Sequence, residues 1–285
     1  MAPDVQIILP VRVDSEDRLE NLRLLVAYLT RLEYALILSE IDDQPRATPE
    51  FLGAPGIACS FQQRPHRHIK AVAVNAGLLL VESPIVAIWD VDCWISRPAV
   101  ADAVRAVREG LDLTVAGEWA FDLRREAARP LLSRASALGE LDEESLKEHV
   151  RRRRPLANGG INFARARVLK QIRGVNEQFH GWGGEDDELV ERCRKLGYRV
   201  GRTGGALWHL DHAPARASRE LCLQAANAQY LQRLRAMSPD ETRAYYGLGP
   251  EAACFEDRLP VPGPEEAVRF WTSRRIVYPW RAVDP

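Results

Sequence analysis

The amino-acid sequence predicts an α/β protein in which a mostly parallel sheet is flanked by helices. Short apolar runs alternate along the chain with segments whose apolar residues recur every three or four positions, the patterns of buried strands and amphipathic helices. The connections between the runs are long enough for right-handed crossovers between parallel strands. The 285 residues are 46% hydrophobic, which is enough material for a buried core.

The first half of the chain contains four predicted strands and two predicted helices. Val5–Val11 is a continuous apolar run typical of a buried strand, and leucines spaced three and four residues apart predict a helix over 17–33. The elements expected next are strands over 34–41 and 57–62, a helix over 69–82 and a strand over 84–89.

The second half is less regular. A helix over 97–108 and a strand over 113–116 precede four consecutive arginines, Arg151–Arg154, which we interpret as a solvated helix end. Asn158-Gly159-Gly160 opens another short strand, and a helix over 185–196 should end at Gly197. A charged helical stretch and a Pro- and Gly-containing tail follow Pro214, and they predict a C-terminal helical extension.

Composition excludes several classes of protein. The 39 Lys and Arg residues balance 40 Asp and Glu residues, giving a net charge of -1, so a nucleic-acid partner is not expected. No apolar run reaches the ~20 residues of a membrane-spanning helix, and the start lacks the layout of a secretory signal. The expected location is the cytoplasm. Five cysteines without a CxxC pair indicate reduced thiols rather than disulfides or a zinc site.

Polar side chains follow three of the predicted strands. Arg12 comes after the first strand, Asp42-Asp43 after the second and Asp90-Val91-Asp92 after the fourth. Because open α/β sheets bind ligands at the carboxyl ends of their strands, these side chains are candidate ligand contacts. Asp90 and Asp92 could hold a divalent ion that also binds a diphosphate. The alternative interpretation of Asp90 and Asp92 is a helix cap or a solvated turn.

The segment Gly181-Trp182-Gly183-Gly184 leads into four acidic residues at the start of a helix. Glycines allow a ligand to approach the backbone, and Trp182 offers an apolar face for a sugar or a base. Successive helical residues point ~100° apart, so Glu185, Asp186 and Asp187 should not all face one site and are expected to have separate roles. Favourable interaction with the helix dipole is the alternative explanation of the charges.

Two histidines, His209 and His212, follow on a predicted strand. Residues three apart on a strand point to opposite faces, so one histidine can complete a metal site. We favour His209, with His212 as second choice, because one imidazole among carboxylate and phosphate oxygens suits Mn²⁺. A hydrogen-bonded core histidine is the alternative.

Four of these motifs occur in the order seen in GT-A fold glycosyltransferases. The chain resembles the β-1,4-galactosyltransferases and the polypeptide and chondroitin-type GalNAc transferases, with their bacterial relatives, over about 5–212. The motifs that carry the resemblance are Asp90-Val-Asp92, the Lys70-Ala-Val-Ala-Val-Asn75-Ala-Gly77 helix, Asn158-Gly-Gly160 and Gly181-Trp-Gly-Gly-Glu-Asp-Asp187.

The resemblance implies roles for individual residues. Asp92, with or without Asp90, would bind Mn²⁺ or Mg²⁺ and the diphosphate, with His209 completing the metal site. Asp186 would be the general base. The donor side would comprise Arg12, Asp42, Asp43, Arg64 and Lys70, and the sugar and acceptor side would comprise Trp182, Gly183, Gly184, Glu185 and Asp187.

It also implies an organisation of the chain. Residues 1–215 would form the transferase domain, with a nucleotide-binding half over 1–95 and an acceptor-binding half over 96–215. The resemblance does not extend to 216–285, which form the C-terminal extension and tail predicted from the residues themselves. The implied activity is transfer of a Gal-, GalNAc-, GlcNAc- or Glc-like sugar from a UDP donor to a hydroxyl, with inversion. The acceptor could be a saccharide, a lipid-linked sugar, a peptide or a small molecule, and the sequence leaves the oligomeric state open.

Two alternatives remain at the level of sequence. A sugar nucleotidyltransferase would share the α/β sheet and the metal, but it should carry a glycine-rich phosphate loop after the first strand, where this chain has Pro10-Val-Arg-Val-Asp14. A carbohydrate-binding protein without catalysis could also use the same fold.

Overall fold

The computed structural model describes residues 3–54, 57–63, 70–210 and 221–248. Within these residues the strands form two sheets. The central sheet contains β1 (Val5–Val11), β2 (Ala35–Asp42), β3 (Ala58–Gln63), β4 (Ile85–Trp89), β6 (Leu113–Val115), β9 (Ile161–Arg165) and β10 (Val200–Arg202). The smaller sheet contains β5 (Cys93–Trp94), β7 (Trp119–Leu123), β8 (Val150–Pro155) and β11 (Ala206–Leu210).

Ten helices accompany the two sheets in the described residues. In chain order, the helices of the described residues are α1 (Glu16–Arg31), α2 (Pro49–Leu52), α3 (Lys70–Leu79), α4 (Arg97–Arg108), α5 (Arg125–Leu138), α6 (Glu143–Lys147), α7 (Ala166–Gln171), α8 (Glu185–Lys195), α9 (Leu221–Ala236) and α10 (Pro239–Tyr246). None of these helices is long and apolar enough to cross a membrane.

The predicted mixed α/β architecture is confirmed. The central sheet has the order β10-β6-β9-β4-β1-β2-β3, and β1 pairs in parallel with both β2 and β4. The strand β9 is antiparallel to its neighbours β4 and β6, so the sheet is mixed in its second half. Each sheet face packs against its own apolar core, because alternate residues of β1 point to opposite sides: Ile7 and Leu9 to one, Ile8 to the other.

The interpretation of Arg151–Arg154 as a helix end is wrong, because these arginines lie in β8. This strand pairs antiparallel with β7, and the pairing gives its long side chains partners on both faces. The Arg153 guanidinium stacks 3.9 Å from the centre of the Trp119 ring, and Arg154 Nη2 lies 3.3 Å from Asp122 Oδ1. Cross-strand contacts therefore decide the structure of a segment whose composition also suits a helix.

The smaller sheet stands beside the carboxyl end of β4. Its strand β11 pairs antiparallel with β5, which follows β4 in the chain, and in parallel with β7. The side chains of β11 and β7 are thereby brought next to the residues that end β4. The extension predicted after the main domain begins, in the described residues, with α9, which packs on α8.

Candidate active site

A cleft of about 580 Å³ opens where the carboxyl ends of β1 and β4 meet the smaller sheet and the first turn of α8. It brings together residues that are far apart in the sequence. Its charged and ionisable lining residues include Asp14, Arg18, Lys70, Asp90, Asp92, Arg154, Glu185, Asp186, Asp187 and His209.

Asp92 and His209 face each other at this cleft. The Cys93 amide donates a hydrogen bond to the Asp90 carbonyl oxygen at 2.9 Å, which turns the chain after β4 into β5. Because β5 pairs with β11, the Leu210 amide lies 2.8 Å from the Asp92 carbonyl oxygen. The two side chains are then close: His209 Nε2 is 3.8 Å from Asp92 Oδ2.

Asp122, on β7, fixes the orientation of the His209 ring. Its Oδ1 lies 3.1 Å from His209 Nδ1, which leaves Nε2 directed toward Asp92. Burial would lower the pKa of His209, but its hydrogen bond with Asp122 and the negative charge of nearby Asp92 outweigh burial and raise that pKa to about 10. The hydrogen bond with His209 in turn lowers the pKa of Asp122 to about 2.

The chemistry of this pair fits a divalent cation. The carboxylates of Asp92 and Asp122 flank the imidazole of His209, and their negative charge favours a bound cation. Mn²⁺ accepts a carboxylate oxygen and an imidazole nitrogen as ligands. The partner that Asp122 provides for the second ring nitrogen is typical of metal-bound histidines. Among the described residues no group of three or more His, Cys, Asp or Glu side chains is assembled to hold a metal ion. Asp92 and His209 would therefore supply two ligands, with diphosphate and water oxygens for the others.

Asp90 points to a different partner. Its Oδ1 lies 2.8 Å from Lys70 Nζ, at the start of α3, and the same ammonium is 3.0 Å from Asp186 Oδ2. The role of Asp90 as a metal ligand stays a prediction. Burial would lower the pKa of Lys70, but the charges of Asp186 and Asp90 hold it well above its ordinary value. Lys70 thus remains a cation inside the cleft.

Asp186 is the second residue of α8. Burial raises its pKa to about 7, although the Lys70 charge acts in the opposite direction. Gly159 makes room for this carboxylate, because a Cβ atom at Gly159 would lie 2.5 Å from Asp186 Oδ2. A carboxyl group with a pKa near neutrality, held by one cation, is suited to accepting a proton.

The neighbours of Asp186 on α8, Glu185 and Asp187, also line the cleft. Their partners differ. Asn158 Nδ2 donates to Asp187 Oδ1 at 2.8 Å, and Glu185 is buried, which raises its pKa. Trp182 lies at the same cleft with 65% of its surface exposed.

A second cavity of about 500 Å³ adjoins the first, and Asp14 lines both. It lies at the ends of β1 and β2 and contains the predicted donor-side residues Arg12, Asp42 and Asp43, together with Arg46. Arg12 Nε is 4.0 Å from Asp42 Oδ1. The predicted residues Arg64 and His212 lie outside the described residues.

Two contacts of this site escape sequence reasoning. Asp122 belongs to no motif, and only the pairing of β7 with β11 brings it to His209. The Asn158-Gly159-Gly160 segment is recognisable as a motif, but its function, holding Asp187 and leaving space for Asp186, depends on the three-dimensional arrangement.

Known proteins share this architecture. A mannosyltransferase from Pyrobaculum calidifontis, solved with GDP-Man and Mn²⁺, has a TM-score of 0.53 at 17% identity, covering 97% of this chain and 77% of that one. Glucosyl-3-phosphoglycerate synthase from Mycobacterium tuberculosis, solved with Mn²⁺, UDP and phosphoglyceric acid, has a TM-score of 0.50 at 14% identity, covering 87% and 80%. The chain has the GT-A fold.

Sequence similarity links this GT-A chain to galactosyltransferases. A family model described as the N-terminal domain of galactosyltransferase matches residues 143–214. β-1,4-Galactosyltransferase 5 from Danio rerio is 43% identical over 49 residues, which are 17% of this chain and 13% of that protein. The chain therefore matches only about an eighth of the length of that relative. The resemblance to GT-A glycosyltransferases of this group is confirmed.

Proposed function

We propose that this protein is a metal-dependent glycosyltransferase that moves a sugar from a UDP donor to an acceptor hydroxyl with inversion. The observation that carries the proposal is the position of the Asp92–His209 pair and of Asp186 on one cleft. A cation site and a partly buried carboxylate are the two groups that such a transfer needs, one for the leaving group and one for the attacking hydroxyl.

The leaving diphosphate carries concentrated negative charge. Held by Asp92 and His209, a divalent cation would stabilise that charge as the glycosidic bond breaks. Asp122 keeps the imidazole in the orientation that presents Nε2 to the cleft. Lys70 adds a positive charge to the same cleft, beside Asp90.

Asp186 is the proposed base. Its carboxylate takes the proton of the acceptor hydroxyl while that oxygen attacks the anomeric carbon, and a positioned base of this kind contributes ~10²- to 10⁴-fold to the rate. Trp182 offers an exposed apolar face for the acceptor or the sugar. Glu185 and Asp187 line the same wall and are proposed to bind sugar hydroxyls.

The nucleoside is assigned to the adjoining cavity beside Arg12, Asp42 and Asp43. The similarity to galactosyltransferases supports a UDP sugar and a Gal-like or GalNAc-like donor. The fold is compatible with other nucleotides, since a solved neighbour holds GDP-Man. The cytoplasmic location and the division of the chain at residue 215 stay predictions.

A donor and acceptor panel tests the proposal. The protein is incubated with UDP-Gal, UDP-GalNAc, UDP-GlcNAc, UDP-Glc or GDP-Man and with xylose, glucose, N-acetylglucosamine or their aryl glycosides, with Mn²⁺ or with EDTA. We expect nucleotide release and a new glycoside in the presence of Mn²⁺ but not of EDTA. The rate should be far higher with one donor than with the others. Turnover of a sugar 1-phosphate with UTP would instead support a nucleotidyltransferase, and saccharide binding without turnover would support a non-catalytic protein.

A further inference from the structure

The side chain of Asn227 on α9 contacts the backbone of the loop that precedes α8. Its Nδ2 lies 2.9 Å from the carbonyl oxygens of His180 and Gly183 and 3.3 Å from that of Trp182. Its Oδ1 accepts a hydrogen bond from the His180 amide at 3.3 Å. Asn227 is 6% exposed, so these contacts are shielded from water. One buried amide thus holds three residues of the loop.

The backbone conformation of the loop depends on its glycines. Gly183 and Gly184 have φ angles of +98° and +101°, a region that glycine reaches without strain but does not prefer. A Cβ atom at Gly183 would meet nothing within 4 Å, whereas one at Gly184 would lie 2.6 Å from the Phe179 ring. The hydrogen bonds from Asn227 to the loop carbonyl oxygens and the close approach of Gly184 to the Phe179 ring hold the loop in this conformation.

Apolar side chains of α9 also pack against Phe179, the residue before the loop. The Phe179 ring lies 5.0 Å from the Tyr230 ring, and Phe179 is buried with Leu231 and Leu234 of α9. Asn227 sits one helical turn before this cluster, so it is rigidly placed under the loop.

The loop carries the groups of the proposed acceptor side. Trp182 is at its centre, and Glu185 and Asp186 begin α8 directly after it. Gly184 caps α8 without a side-chain hydrogen bond, so the position of the first turn follows the loop backbone. A shift of the loop would move Trp182 relative to the base, and a displacement of about 1 Å near reacting groups can cost ~10²-fold in rate.

We propose that Asn227 is a positioning residue for acceptor binding, which makes α9 part of the acceptor site; this inference rests on the proposed function. The helix lies beyond the 143–214 segment that matches the galactosyltransferase model. Asn227 acts through the loop and not on the reacting atoms.

Two substitutions of Asn227 test the inference in the full chain. Asn227→Ala removes every contact with the loop, and Asn227→Asp keeps the size but places a carboxylate against carbonyl oxygens. We expect faster hydrogen exchange at the backbone amides of 180–184 and about a tenfold higher KM for the most reactive saccharide of the panel. The affinity for UDP with Mn²⁺, measured by calorimetry, should stay unchanged.

The control is Gln229→Ala, an exposed amide on the same helix, which should leave all three quantities as in the wild type. Unchanged exchange over 180–184 in both Asn227 variants would overturn the inference. So would faster exchange without a change in acceptor KM, or an equal loss of UDP affinity, because each shows that Asn227 does not act on the acceptor side. Absence of transfer by the wild-type protein would contradict the proposed function instead.

Discussion

Lys70 Nζ lies 3.0 Å from Asp186 Oδ2, so the proposed base is paired with a partly buried ammonium group. The same ammonium is 2.8 Å from Asp90 Oδ1, which joins the base to the strand end where the diphosphate is expected. A bound diphosphate would compete with both carboxylates for Lys70. The ionisation of Asp186 and the binding of the donor are therefore coupled through one side chain.

Replacing Lys70 with methionine should shift the pH dependence of transfer. The Lys70 charge lowers the pKa of Asp186 against the effect of burial, so without it this pKa rises above about 7. The acidic limb of the profile of kcat, measured at saturating donor, should move to higher pH by about 1 to 3 units. Lys147→Met, which removes an exposed pair with Glu144, is the matched control and should leave the profile in place.

Asp186→Asn should abolish the pH-dependent transfer step. In the wild type, transfer requires the ionised carboxylate, so the rate should rise with pH and reach half its maximum near pH 7. The asparagine variant should lose ~10²- to 10⁴-fold in kcat and should lack this limb, while its affinity for UDP with Mn²⁺ changes little. Initial rates between pH 5 and 9 and calorimetry measure the two effects. A variant that keeps most of its rate would show that Asp186 is not the base.

Much of the fold could be predicted from local sequence patterns. The structure contains the strand predicted over Val5–Val11 and the helix predicted near 97–108, because a continuous apolar run and an amphipathic period are properties of the segments themselves. The strands of the smaller sheet differ. In β8 the arginines are stabilised by Trp119 and Asp122 of another strand, so the segment alone does not indicate its structure.

The same distinction applies to the site. Asp92, Asp186 and His209 stand in recognisable motifs, whereas the partners that orient them do not. Asp122 reaches His209 across 87 residues of sequence, and Asn227 reaches the glycine loop across 44 or more. Aspartate and asparagine are common residues without a characteristic spacing here, so only the packed structure identifies these two.

Removing the carboxylate of Asp122 should weaken metal-dependent donor binding without removing a proposed ligand. Asp122→Ala frees the His209 ring to rotate, and partners of metal-bound histidines typically contribute 10- to 100-fold to metal affinity. We expect a loss of that size in the affinity for Mn²⁺ measured with UDP present. Asp92→Ala should eliminate Mn²⁺-dependent UDP binding. Asp102→Ala, at an exposed position of α4, should match the wild type, and an equal result for Asp122→Ala would exclude its role.

The pair Glu188–Arg192 should contribute to stability rather than to catalysis. These side chains are 4% and 2% exposed, Arg192 also donates to the carbonyl oxygens of Ile172 and Gly174, and Glu188 accepts from Tyr246 of α10. Arg192→Met leaves a buried carboxylate unpaired, so the free energy of unfolding in urea should fall by about 3 to 5 kcal/mol.

Arg105→Met, which breaks an exposed pair on α4, is the control for that loss and should change the free energy of unfolding by less than about 0.5 kcal/mol. A similarly small change for Arg192→Met would contradict a contribution of the Glu188–Arg192 pair to stability.

The stereochemistry of transfer follows from the proposed role of Asp186. A base that deprotonates the acceptor hydroxyl allows direct attack on the anomeric carbon from the side opposite the leaving diphosphate, and a single displacement inverts the configuration. An α-linked UDP sugar should therefore give a β-linked product, identified by the coupling constant of its anomeric proton in NMR. The neighbouring Glu185 and Asp187 are assigned to sugar hydroxyls, so their conservative variants should keep the β linkage at a lower rate, whereas Asp186→Asn should form almost no product. An α-linked product would require a nucleophile on the opposite face of the sugar or a front-face route, and it would overturn the assignment of Asp186 as the base.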